Sequence, residues 1–192
     1  VSWSLGEIKA LAVKAARGAG MPWGMADEAG FAVRWLQARN VPGLAALARY
    51  LDWRDGLGEP DHDLCPISLG TAIMDAQRDI PSNLGLVRQP LLLAPYLASR
   101  APSGLALRWD DTELIISEAG LVTTASRDAL LTVQAHCEAA PAAGEDGETV
   151  VRVPETEVGA VALLDKYAQR TYAPATDASR LSGAGAGTTD ND

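Results

Sequence analysis

Apolar residues recur every three or four positions through the first fifty residues, and every second position through much of the later chain. Ile8, Leu11, Ala12 and Ala15 follow the i, i+3, i+4, i+7 stripe of a helix with one buried face. Ahead of them "SLGE" at Ser4–Glu7 has capping-box spacing, a serine followed three residues on by a glutamate. "GAGMPWG" at 18–24 stops this helix with glycine and proline, and a second helix is predicted from Met25 to Ala38. Beyond Asn40 and Pro42, Leu44, Leu47, Ala48 and Leu51 repeat the stripe, with Arg49 and Asp52 off it. Three short amphipathic helices with tight connectors predict a small bundle.

The stretch "RDGLGEPDHDLCP" at 54–66 is rich in glycine, proline and aspartate and reads as a boundary. Beyond it the pattern is mixed. "CPISLGTAIMDA" and "NLGLVRQ" each have room for a strand, while "PLLLAPYLASRA" is ambiguous because Pro95 would kink a helix through it. "GLALRW", "TELIIS" and "LVTTAS" read as short strands separated by the turn signals "DD" and "EAG". "LLTVQAHCEA" predicts a fourth strand of this series, and "ETVVRV" follows the loop "APAAGEDG". Pro154 is expected to open a last helix, with Val158, Val161, Ala162 and Leu164 apolar. The predicted fold is α+β: an N-terminal three-helix segment packed on a mainly antiparallel sheet, with a C-terminal helix. The organisation read from these signals is a helical segment at 1–55, an α+β segment at 56–178 and a glycine-rich segment at 179–192, all in one body.

Composition changes the picture of the core. Of 192 residues 34 are alanine, and aromatics make up only 5%, so five tryptophans carry unusual weight in packing. Trp3, Trp23 and Trp53 fall near turns or ends, where exposed rings would supply contact area. Net charge is −9. Residues 1–58 hold seven basic and five acidic side chains (+2), and residues 59–192 hold nine and twenty (−11). The acidic excess argues against nucleic acid and anionic membranes as partners, since phosphate binding needs clustered lysine and arginine. Its uneven spread would let one subunit's helical face meet another's acidic face in a homo-oligomer, beside the plainer reading of a solvated acidic surface. The longest uncharged apolar stretch, "QPLLLAPYLAS", has eleven residues and two prolines, short of the ~20 of a membrane span. With no basic segment leading an apolar run at the start, the expected location is the cytoplasm.

Candidate chemistry is sparse. The histidines and cysteines amount to His62, Cys65, His136 and Cys137, an inventory that suits tetrahedral zinc. The spacing suits it less: on a strand, His136 and Cys137 point to opposite faces. Loop and strand histidines beside two buried thiols are the plainer reading, and no metal or other cofactor is expected. A single Cys65–Cys137 disulfide is open, but nothing in the sequence speaks for a secreted framework. Glu28 lies on the second helix with Gly24, Phe31, Ala32 and Trp35 around it. Desolvation there would raise its pKa towards the range used for proton transfer, with Arg17 and Lys14 as candidate neutralising cations. There is no "GxSxG" elbow and no nucleotide-binding loop. "GAGAG" at 183–187 has glycines whose amides could approach an anion, but no helix pattern follows, as a dinucleotide fold requires. Arg17, Gly183, Gly185 and Gly187 are the candidate ligand-binding residues, on the expectation that the glycine-rich segment docks.

"KAARGAGMPWGMADEAGFAVRWL" at 14–36 and "TYAPATDASRLSGAGAGTTDND" at 171–192 together resemble an uncharacterised bacterial protein family, mostly alphaproteobacterial. That resemblance implies no activity, fold or cofactor, and it implies that the glycine-rich segment belongs to the protein. Residues 5–36 are also similar to the helical start of the malate and lactate dehydrogenases unrelated to the classical dinucleotide fold. Those enzymes continue with a Ser-His-Gly segment and an arginine. Here "NVPGLAALARY" follows, and although Arg49 could take the arginine's place, no histidine stands where an acid–base group is needed. Hydride transfer is therefore not carried over. The expectation is a non-catalytic ligand-binding or accessory module that self-associates; the alternatives are an acid–base enzyme using Glu28 with a histidine or arginine of the second half, and a zinc protein.

Overall fold

In a computed structural model the described residues are 3–56, 64–75, 80–101, 104–117, 120–142 and 157–172. Helix α1 (Leu5–Gly18) begins at the capping box: Ser4 N–H donates to Glu7 Oε2 at 2.7 Å and Glu7 N–H to Ser4 Oγ at 3.2 Å. Its predicted stripe is the buried one. Helix α2 (Trp23–Gln37) buries Ala26, Ala29, Ala32, Val33 and Leu36. Small residues let α1 and α2 approach closely. A Cβ on Gly30 would lie 2.5 Å from Val13 Cγ2, so only glycine fits at this crossing.

Helix α3 (Gly43–Gly56) is buried on more than its predicted stripe: Ala45, Ala46 and Tyr50 join Leu44, Leu47, Ala48 and Leu51. It lies centrally, against α1, α2 and helix α7 (Val158–Gln169). Helix α7 also packs on α1, where a Cβ on Gly18 would fall 1.8 Å from Tyr167 O. At its far end, Arg170 Nη1 and Nη2 hold both Asp55 carboxylate oxygens at 2.6 and 2.9 Å.

"CPISLGTAIMDA" is not a strand. Pro66–Asp75 form helix α4, with Pro66 at the first helical position and Ile67, Gly70 and Ile73 buried at helical spacing. Thr71 Oγ1 satisfies itself on Ile67 O at 2.8 Å, so its β-branch costs the helix little. "PLLLAPYLASRA" resolves into a 3₁₀ turn (Pro90–Leu93) and helix α5 (Ala94–Ala98). Both prolines sit in first turns, where no donor is missed, so Pro95 starts a helix and kinks none.

The sheet has the order β1-β5-β2-β3-β4, every pair antiparallel: β1 (Asn83–Arg88), β2 (Leu105–Trp109), β3 (Thr112–Ile116), β4 (Leu121–Val122) and β5 (Gln134–Pro141). The "DD" turn joins β2 to β3 with Asp110 at φ 47°, in the left-handed region that tight hairpins use. Ala135, Cys137 and Ala139 of β5 face the core while His136 and Glu138 face out. Between β4 and β5, helix α6 (Arg127–Leu130) receives the Trp109 indole N–H at Ala129 O, 3.2 Å away. Trp109, Tyr50 and Tyr96 are the largest fully buried side chains, so aromatics do plug the alanine-rich interior. One buried cluster runs from Ile8 to Ala168 and draws on helices and sheet alike. The helical opening, antiparallel sheet and closing helix make the fold α+β. No helix among the described residues is long and apolar enough to cross a membrane. The "ETVVRV" strand and Pro154 lie outside the described residues; the last helix is seen from Val158.

Candidate binding groove on the first helix

The face of α1 opposite its buried stripe carries Gly6, Ala10 and Val13 between Lys9, Lys14 and Arg17. Residues this small leave a floor, and the long cationic side chains make its walls. A groove of about 510 Å³ results, lined further by Trp23 and by Thr171, just beyond α7. Pro22 holds the chain extended ahead of α2, which leaves the Trp23 ring 69% exposed. The Arg17 guanidinium lies over that ring at 4.3 Å. It also donates through Nη1 to Met21 O, while its Nε is buried without a hydrogen-bond partner. Lys14 Nζ donates to Tyr172 Oη at 3.2 Å and lies 5.6 Å from that ring's centre. The groove thus has an apolar floor and two cation–aromatic pairs, and among the described residues no carboxylate, histidine or cysteine lines it.

Glu28 lies elsewhere, in a cleft of about 360 Å³ with Lys9, Asp27, Phe31 and Met74. Burial, then the charges of Asp75 and Asp27, raise its pKa above the usual carboxylate value, and Lys9 opposes them. The expected cations were Arg17 and Lys14. They face the groove instead, and Lys9 takes their place because it stands one helical turn nearer the start of α1. Among the described residues lining this cleft there is no histidine or arginine. Tyr96 Oη donates to the Glu28 backbone oxygen at 2.9 Å and so holds the helix, not the carboxylate.

The buried carboxylate that sequence reasoning missed is Glu157, at the N-cap of α7. Its side chain is 4% exposed. Oε2 accepts from Ala45 N–H at 3.0 Å and Gln37 Nε2 at 3.2 Å, and Oε1 from Arg127 Nη2 at 3.1 Å. It ties α2, α3, α6 and α7 together, and burial outweighs these contacts to raise its pKa. The one signal in the sequence was a glutamate directly ahead of the apolar run from Val158.

Among the described residues, the two thiols and His136 do not gather into a metal site. Cys65 and Cys137 are free and buried; Tyr50 Oη donates to Cys65 Sγ at 2.9 Å. Burial, more than the charge of Asp110, pushes the Cys137 thiol up to about 12. His136 is exposed on the opposite side of β5 from Cys137, and among the described residues no three potential ligands converge. His62, Gly183, Gly185 and Gly187 lie outside the described residues. Of the tryptophans expected to be exposed, Trp53 is half-buried, between Tyr50 and the Arg88 guanidinium, 4.3 Å from its ring.

Residues 3–78 match the model of a family described as "Protein of unknown function (DUF3726)". The match spans α1 to α4 and every described lining residue of the groove except Thr171; it is consistent with an uncharacterised family, as expected from 14–36 and 171–192, of which it covers the first segment. The chain matches no curated protein and no solved structure.

Proposed function

We propose that this protein is a non-catalytic binding module whose α1 groove takes a ligand with an apolar body and an anionic head. The observation that carries the reading is the groove's lining: Ala10 and Val13 as floor, Lys14 and Arg17 each paired with an aromatic ring, and no carboxylate or histidine among the described lining residues. Cations beside an apolar floor favour carboxylates or sulfonates over neutral molecules of the same shape. The probe is 1-anilinonaphthalene-8-sulfonate, displaced by octanoate and not by octanol. Trp23→Ala and the double variant Lys14→Glu/Arg17→Glu should each weaken probe binding at least tenfold. Unchanged affinity in both would place the probe elsewhere and end the proposal.

Self-association belongs to the same reading. It is supported by the charge difference between the two halves and by exposed Trp3 and Val158. Sedimentation velocity over a hundredfold concentration range decides it, and a monomer throughout removes it. Catalysis through Glu28 draws support from its raised pKa, but its cleft offers Lys9 where a histidine or arginine was expected.

A further inference from the structure

We infer that a pocket where α3, α6 and α7 meet is a second binding site, for a small carboxylate that draws the Arg127 guanidinium off Glu157 as it enters. The pocket holds about 440 Å³ and shares no described lining residue with the α1 groove. Ala45, Ala48 and Arg49 line it from α3, at the i, i+3 and i+4 spacing that puts them on one side of a helix. Arg127 enters from α6, and Glu157 and Leu163 belong to the α7 wall. Arg49 Nη1 donates to Leu131 O at 2.9 Å, which holds its guanidinium beside the end of α6. Among the described residues no carboxylate pairs with Arg49. Two guanidiniums against one carboxylate leave the described lining one positive charge in excess. A guanidinium fork matches a carboxylate, and the wall of Ala45, Ala48 and Leu163 suits a short apolar body behind it.

The two partners of the existing ion pair are unequally held. Arg127 reaches Glu157 through Nη2 and its side chain is 41% exposed, so it can turn to a ligand. Glu157 is buried and fixed by Ala45 N–H and Gln37 Nε2, so it stays behind. The charged groups facing it are Arg127 from α6 and Arg49 from α3, across the pocket; α2 offers the uncharged Gln37, and the described part of α7 brings no other charge to the lining. Burial already raises the Glu157 pKa, and Arg127 is among the contacts that oppose it. When a ligand takes Arg127, the carboxyl left in the wall gains a proton from solvent. Reciprocity then makes the ligand bind more tightly as pH falls.

Isothermal titration calorimetry of the full chain with benzoate tests this between pH 5.5 and 7, in pairs of buffers that differ in protonation enthalpy. Benzoate should bind where benzyl alcohol does not, with part of a proton taken up per site. Its affinity should rise about threefold or more from pH 7 to 5.5. Arg49→Ala, at an exposed position, should weaken binding at least tenfold. Glu157→Gln keeps an uncharged side chain in place; it should bind at least as tightly as the parent, with no proton uptake and no dependence on pH. Lys14→Glu/Arg17→Glu should change none of these values, which separates this pocket from the α1 groove. Binding lost in that double variant and kept in Arg49→Ala would seat benzoate in the groove and overturn the inference. So would binding without proton uptake at any of these pH values, which would mean that Arg127 never leaves Glu157. No benzoate binding at millimolar concentration would end it outright.

Discussion

Replacing Glu157 separates two things a buried carboxylate does: accept hydrogen bonds and carry a charge. In Glu157→Ala the Ala45 N–H, one of the first-turn donors of α3 that no helix carbonyl can reach, loses its acceptor in a buried setting. Leaving such a donor unmade costs about 1–3 kcal/mol. The Arg127 partner is 41% exposed and rehydrates, so the ion pair adds roughly 0.5 kcal/mol at most. Together the loss is about 2 kcal/mol, or roughly 4–8 °C in Tm at this chain length. Glu157→Gln retains an amide oxygen for Ala45 N–H and discards a charge that burial already disfavours. It should stay within about 1 kcal/mol of the parent at pH 7.

Linkage gives the sign with pH. The folded pKa lies above the ordinary 4.5, so the folded state holds the extra proton between the two values. The carboxyl's stability contribution is full below 4.5 and is lost as pH rises through the folded pKa. The parent should therefore gain on the glutamine variant as pH falls from 7 towards 4.5. Thermal melts followed by far-ultraviolet circular dichroism, at several pH values, read all of this. A glutamine variant as unstable as the alanine one, or a parent that loses ground on acidification, would show that pairing with Arg127 outweighs burial and refute the reasoning.

Three further outcomes are expected. Gly18→Ala should destabilise by about 1–3 kcal/mol in urea melts despite alanine's better helix propensity, because its Cβ meets the Tyr167 backbone; a neutral result would mean α1 and α7 are not in that contact. Tyr96→Phe should cost about 1 kcal/mol in the same melts through the lost bond to Glu28 O, and no loss would mean that bond is not made in solution. At pH 8 neither Cys65 nor Cys137 should react with a thiol reagent until guanidinium unfolds the chain, and prompt labelling of both would contradict their burial.

Local signals were legible wherever one residue's neighbours in sequence are also its neighbours in space. The Ser4–Glu7 cap, the Ile8–Ala15 stripe and the Asp110–Asp111 hairpin are set within a few residues, and all three appear as the pattern implies. Helix α4 was missed because "ISLGTAI" mixes β-branched residues with glycine. What holds it is packing on α5, with Tyr96 filling the space over Gly70. Arg17 was singled out in sequence for a ligand, yet its ring partner, its orphaned Nε and the groove below it come from α1 meeting the start of α2.

Sequence by itself determined the period of each segment, the capped start of α1 and the class of fold, because hydrophobic spacing and turn chemistry act over one or two helical turns. Tertiary structure alone decided that Lys9 and not Arg17 bears on Glu28, and that Glu157 is buried among four helices. It also decided that small residues on the outer face of α1 form a floor. Burial, desolvation and cavities are properties of how distant segments meet, and no local pattern contains that distance.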